Sequence, residues 1–278
     1  MLVPFLIMLR EGIEAALIVG IVASYLKRSG SSSMMPGVVI GVLLAVALSF
    51  FVGAGLQVAM AEFPQKEQEF FEGVVGLIAV AMLTSMVFWM RKAGPSVQSD
   101  LQESVRSALA GSKSREWALI VVVFLAVARE GLESVFFLLA IFQQSSGWHA
   151  PIGAVLGLLC AVVIGYGIYS GGLRLNLRRF FRITGIFILL VSAGLLAGVL
   201  RKFHEAGVWN HFQSVVFDVD HVLPMDSPVG AVLSGLFGYQ SAPVTGEVVV
   251  YLAFLAVTLY LFLRPRPQPL LSQPKTSS

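Results

Sequence analysis

The sequence predicts an all-α integral membrane protein of seven transmembrane helices, arranged as a 3+3 inverted-topology repeat plus one extra helix. Three observations carry that expectation. Of 278 residues, 56% are hydrophobic and only 13% charged, with a mean hydropathy of +0.83, too apolar for an ordinary water-soluble domain. Five uncharged runs approach or reach the length that crosses a bilayer. Two further apolar stretches are each interrupted by the same pentad, Arg-Glu-Gly-aliphatic-Glu.

The first span, Leu2–Tyr25, contains Arg10, Glu11, Gly12, Ile13 and Glu14. It lacks a basic leading segment and a small-residue cleavage site, so it reads as a retained helix and not a cleaved signal. Gly37–Ala61 and Gly73–Met90 follow as uncharged spans. The fourth, Trp117–Phe142, contains Arg129, Glu130, Gly131, Leu132 and Glu133 near its middle, where protein neighbours can shield charge from lipid. Pro151–Leu173, Ile183–Leu200 and the short Val248–Leu263 complete the set. The expected organisation is a single transmembrane domain over 1–263: repeat one 1–92, repeat two 117–202, an external loop 203–247 and the seventh helix 248–263. Within the loop, apolar Gly230–Tyr239 reads as an interfacial or re-entrant helix. The Pro- and Ser-rich tail 264–278 reads as disordered and cytoplasmic.

The repeat rests on three matches in chain order. The pentads are 119 residues apart; Gly37–Ala45 matches Gly153–Ala161 in its small-residue spacing; Phe70-Phe71 and Gly76 resemble Phe180-Phe181 and Gly185. Three helices per copy is an odd number, so the second copy enters from the opposite face, the arrangement that places a transporter's substrate between halves. Lys and Arg set the orientation. Fourteen of nineteen fall in segments 27–35, 91–116, 172–182 and the tail, against three in 61–72, 143–150 and 201–247, which predicts N-terminus outside and C-terminus inside the cytoplasmic membrane. The net charge of +3 follows this asymmetry, and no nucleic-acid partner is expected. Trp89, Trp117 and Trp148 read as interfacial anchors.

Six formal charges at membrane depth cost roughly 2.5–3.5 kcal/mol each at a helix centre, on the order of 15–20 kcal/mol unrelaxed. A cation site is the expectation, against the alternative of a buried Arg–Glu network that only fixes packing. Within each pentad the two glutamates lie three residues apart on one helical face, with Cβ atoms about 5–6 Å apart, and the arginine lies four before the second glutamate, in reach of an ion pair. If both copies meet, Glu11, Glu14, Glu130 and Glu133 with Arg10 and Arg129 carry a formal charge of −2, which a divalent cation neutralises. Carboxylates suit Mg, Ca, Mn and iron, and with Cys160 the sole cysteine, thiolate clusters and disulfides within the chain are excluded. Spacing leaves the metal open.

Outside the membrane, Glu62, Glu67, Glu69 and Glu72 form a possible first-capture site, although acidic residues at a helix N-terminus also complement its dipole. His204, Glu205, His211, Asp218, Asp220, His221, Met225 and Asp226 offer a second set of donors, with ordinary loop solvation as the alternative. Arg174, Arg178, Arg179 and Arg182 form a basic cluster that orientation alone explains. No enzyme is expected. A seven-helix receptor lacks a retinal-binding lysine in the last span, and a lipid-phosphate enzyme lacks a nucleophile and a phosphate cradle.

The paired pentads on seven spans, with the first 25 residues, Phe63–Glu69, Ala126–Gln144 and Phe203–Gly207 through Asn210-His211, resemble the oxidase-dependent iron transporter family, which includes the fungal high-affinity iron permease and bacterial EfeU-type permeases. The resemblance covers nearly the whole chain. It implies iron permease activity, with Fe2+ or Fe3+ moved inward across the cytoplasmic (inner) membrane and bound by the pentad glutamates. Iron is then substrate, and no bound organic cofactor is expected. The implied partners are a periplasmic iron-binding protein and a haem peroxidase, or a ferroxidase. A permease for another divalent metal such as Mn2+, or a receptor, is the alternative.

Overall fold

The computed structural model describes residues 1–61, 63–93, 97–110, 115–144, 148–170, 177–225 and 227–264. The helices are α1 (Leu2–Arg28), α2 (Met35–Ala61), α3 (Gln65–Ala93), α4 (Val97–Ala110), α5 (Arg115–Gln144), α6 (His149–Tyr169), α7 (Leu177–Glu205), α8 (Pro228–Phe237) and α9 (Thr245–Leu263), with a 3-10 turn at Ser32–Met34. Among the described residues the only extended pairing is an isolated bridge between Val215 and Val244.

Among the described residues, five helices, α2, α3, α6, α7 and α9, are long and apolar enough to cross a membrane. The pentads lie in α1 and α5, of 27 and 30 residues, which match them in length and differ in carrying internal charge. Each of these extends past at least one of the expected bounds, since a helix continues into polar flanks where a hydropathy reading stops, although α6 ends at Tyr169, short of the expected Leu173. One element corrects the expected 91–116 loop. Leu101, Val105 and Leu109 recur every fourth residue on α4, and Val105 is fully buried against the helices that α4 covers, α5 and α1. The expected tail beyond Arg264, and Glu62, lie outside the described residues.

The helices are layered by burial. α7 is central, with 61% of its apolar window buried, whereas α2, α6 and α9 bury 22% and turn Phe50, Phe51 and Val163 outward. Such continuous exposed apolar surface is what a bilayer covers. One core cluster joins α1, α3, α5, α7 and α9 through Ile7, Leu83, Phe137, Leu189 and Phe262; another joins α1, α2, α4 and α5 through Leu26, Val38, Leu119 and Val123.

Small residues let backbones touch. Gly153 lies under the Met1 carbonyl, Gly157 under that of Phe5, and Gly12 faces Ala161, so α1 and α6 run parallel. Gly41 faces Ile120 and Val123, and Gly131 faces Ser49, so α2 and α5 are also parallel. Gly76 meets Val199 while Gly185 meets Val87, making α3 and α7 antiparallel, and α7 runs antiparallel to α9 through Gly185–Phe262 and Gly246–Leu200.

Local chemistry closes the ends of α8 and the last turn of α9. The Ser227 hydroxyl accepts from the Gly230 amide at 2.9 Å with Pro228 in the first turn, and Gly238 closes α8 at φ 66°, where a side chain would be strained. That Gly238 packs on Gly194 of α7, so the helix expected at Gly230–Tyr239 forms and seats against the bundle. Arg91 donates to the carbonyls of Leu261 (2.6 Å) and Arg264, satisfying the last turn of α9. Arg201 pairs with buried Glu247 at 2.9 Å and ties α7 to the start of α9.

Candidate metal centre

The pentads converge. Gly12 packs beside Ala161 near the middle of α6, and Gly131 packs beside Ser49 near the middle of α2; a Cβ at Gly12 would stand 2.5 Å from that of Ala161. This approach turns the neighbouring glutamates toward the bundle interior. Glu11, Glu130 and Glu133 each bring a carboxylate oxygen within 4.8 Å of the other two, and all three are buried. Two oxygens on one ion at about 2.0–2.6 Å sit at most about 4–5 Å apart, so these three can share an ion without the helices moving. They form the one such group of three or more metal-ligating side chains found among the described residues.

Glu14 stands slightly apart, with Oε1 3.1 Å from Arg10 Nη2, a charge contact that is not aligned as a hydrogen bond. Arg10 also reaches Glu11 Oε1 at 3.2 Å and donates Nη1 to the Met86 thioether at 2.8 Å. Arg129 Nε donates to Glu133 Oε1 at 3.0 Å and its guanidinium lies 4.8 Å over the Trp89 ring. Glu11 Oε2, Glu14 Oε1 and Glu133 Oε2 are buried without a hydrogen bond. Three carboxylates with unpartnered oxygens in a low-dielectric interior, beside the buried Glu130, favour a cation.

The two arginines differ. Arg10 is 1% exposed, while the Arg129 side chain is 50% exposed beside a cavity of about 210 Å³ lined by Met82, Ser85, Met86, Trp89, Arg129 and Glu133. Removing one partner of a buried charge pair costs about 3–5 kcal/mol. Arg10→Met is therefore expected to lower the thermal unfolding midpoint in detergent markedly. Arg129→Met should lower it much less, because Glu133 borders the cavity and can be hydrated there; equal losses would count against this difference in environment.

The external candidates divide. Lys202 Nζ gathers Glu69 (2.5 Å), Glu72 (3.0 Å) and Glu205 (3.3 Å), and Gln68 donates to Glu72 at 3.1 Å. Since α3 begins at Gln65, Glu67 alone occupies its first turn, and Glu69 and Glu72 face the α7 lysine where a dipole-capping position had been expected. Among the described residues the loop donors form no shared cluster, and Asp226 lies outside those residues. Exposed His204 has Nδ1 2.9 Å from Asn210 Oδ1, His211 meets the Trp209 ring edge-on at 5.5 Å, and Asp218 accepts from the Asp220 amide at 3.0 Å.

Sequence reasoning passed over the α3 contribution. Met82, Ser85, Met86 and Trp89 recur at helical spacing on one face, a stripe of sulfur, hydroxyl and indole inside a span read only as an apolar run. Trp89, Trp117 and Trp148, expected as interfacial anchors, are all exposed, and Trp89 in addition lies under the Arg129 guanidinium.

The family model described as Iron permease FTR1 family matches residues 1–266. A ferrous iron permease EfeU of Yersinia pestis is 54% identical over 265 residues, covering 95% of this chain and 94% of the relative. The ferrous iron permease EfeU of Escherichia coli O157:H7 is 55% identical over 265 residues, covering 95% and 96%. No solved structure matches the chain.

Proposed function

Because this chain belongs to the iron permease FTR1 family, we propose that it moves iron inward across the cytoplasmic membrane through a midplane site shared by Glu11, Glu14, Glu130 and Glu133. It is a multi-pass membrane protein of a permease family and not an enzyme. The observation that carries the site is the closure of carboxylates from both pentads onto one point. The middle positions of Ala161 and Ser49 on their helices support a midplane depth.

An inverted repeat explains the packing. α1 of the first copy pairs in parallel with α6 of the second, α5 of the second pairs in parallel with α2 of the first, and α3 crosses α7 antiparallel. Equivalent glycines, Gly41 and Gly157, make both parallel contacts. Seven spans, α1, α2, α3, α5, α6, α7 and α9, then alternate in direction, with the basic segments on the cytoplasmic side and the N-terminus outside.

In this mechanism the acidic outer surface concentrates the ion and the four glutamates replace its water. Arg10 and Arg129 keep their ion pairs with the glutamates when the ion leaves, and rocking of the repeats alternates access. The formal −2 charge and the ferrous specificity in the relatives' names favour Fe2+. An iron-binding protein and a haem peroxidase outside the membrane would supply the ion. Radioactive iron flux into proteoliposomes tests the reading. Uptake should be faster with a reductant present and only weakly competed by Mn2+; equal or preferred Mn2+ flux would reassign the substrate.

A further inference from the structure

We propose that the cavity between α3 and α5 is the cytoplasm-side port of the glutamate site, and that Arg129 stacked on Trp89 is its gate. The proposal rests on the reading of the pentad glutamates as the ion site and adds how an ion leaves it.

The position of the cavity comes from helix register. Gly76 of α3 meets Val199 and Val87 meets Gly185, so Met86 and Trp89 lie in the half of the bundle nearer the Leu177 end of α7, opposite the side where α1 begins. Trp89 is four residues, about 6 Å, from the Ala93 end of α3. The cavity reaches the site itself, because Glu133 lines it and Glu133 Oε2 is a buried oxygen without a hydrogen bond. Arg129 stands across this route, bonded to Glu133 on one side and laid over the Trp89 indole on the other. A cation leaving by this route meets a like charge unless Arg129 moves.

On the opposite side the described residues of α7 are closely packed. The stretch of α7 that corresponds to this face of α3 is Val191–Val199, which contains no aromatic or thioether side chain, and Val191, Ser192, Leu195 and Val199 are buried. Gly238 at the end of α8 presses on Gly194 in the same stretch. Arg10 of the first pentad is buried, donating to Met86 and lying 5.9 Å over the Phe181 ring of α7, whereas Arg129 is half exposed. Met86 and Trp89 are thus positioning residues, each holding one pentad arginine from a single face of α3.

Thiol labelling tests the port without iron. In a Cys160→Ala chain, which removes the sole native cysteine, Ser85→Cys is exposed to a charged, membrane-impermeant methanethiosulfonate in vesicles of each orientation. Modification is expected only from the cytoplasmic side. Trp89→Leu should speed it by between about twofold and thirtyfold, the range that loss of a cation–π contact allows, and Trp89→Phe should restore the parent rate. Arg129→Gln, which removes the other half of the gate, should also accelerate it. Modification from the outer side, or none from either side with reaction only by a lipid-soluble maleimide, would overturn the port. Equal rates in Trp89→Leu and its parent would overturn the gate. Loss of iron uptake in the glutamate variants is a separate measurement, so either reading can fail without the other.

Discussion

Glu14→Gln and Glu133→Gln are each expected to abolish iron uptake while the chain still inserts in the membrane. Glutamine preserves volume and one carbonyl acceptor but removes a negative charge, reducing the formal site charge from −2 to −1. Loss of a group that only supports a metal ligand already costs about 10- to 100-fold in affinity or activity, and a direct ligand should cost at least that. The fold should survive. Arg10 retains Glu11 when Glu14 is changed, and Arg129 is half exposed when Glu133 is changed. Uptake of radioactive iron by proteoliposomes, normalised to inserted protein, provides the check; normal uptake by both variants would reject the assignment of these side chains as ligands.

Gly157→Val should prevent the chain from reaching a folded, monodisperse state. A Cβ at Gly157 would overlap the Phe5 carbonyl oxygen and stand 3.0 Å from the Phe5 carbonyl carbon and 3.1 Å from the Leu9 amide. These are backbone atoms of α1 and cannot rotate aside. The added groups must therefore separate α1 from α6, along the same contact that seats Gly12 on Ala161 and aims Glu11 at the second pentad. Overpacking in a tight interior typically costs about 1–3 kcal/mol, and displacing a whole helix pair costs more. Gly20→Val is the control, because nothing lies within 4 Å of a Cβ there. Gel filtration in detergent should show Gly157→Val aggregated or lost and Gly20→Val unchanged; a monodisperse Gly157→Val with native thermal stability would mean that the close approach is dispensable.

The apolar runs and the two pentads already contain most of this architecture, because a helix hydrogen-bonds within itself and its hydropathy is local. The convergence of Glu11 with Glu130 and Glu133 agrees with what the duplicated pentads led one to expect, since three spans per copy, an odd number, would turn the second copy over. Other features depend on pairings that no local pattern records. α4 hides among charges and shows itself only through the spacing of Leu101, Val105 and Leu109. Lys202 counts as one outer basic residue in sequence, and only the α3–α7 crossing reveals that it takes up Glu69, Glu72 and Glu205. The unequal settings of Arg10 and Arg129 are invisible in two identical pentads, because they depend on which residue of α3 each guanidinium meets.

The stoichiometry of Fe2+ binding to purified protein under reductant tests most directly whether the two pentads form one site. One ion per chain is predicted, with that ion lost both in Glu11→Gln, which alters only the first pentad, and in Glu133→Gln, which alters only the second. Two ions per chain, or retention of tight binding after either substitution alone, would contradict it.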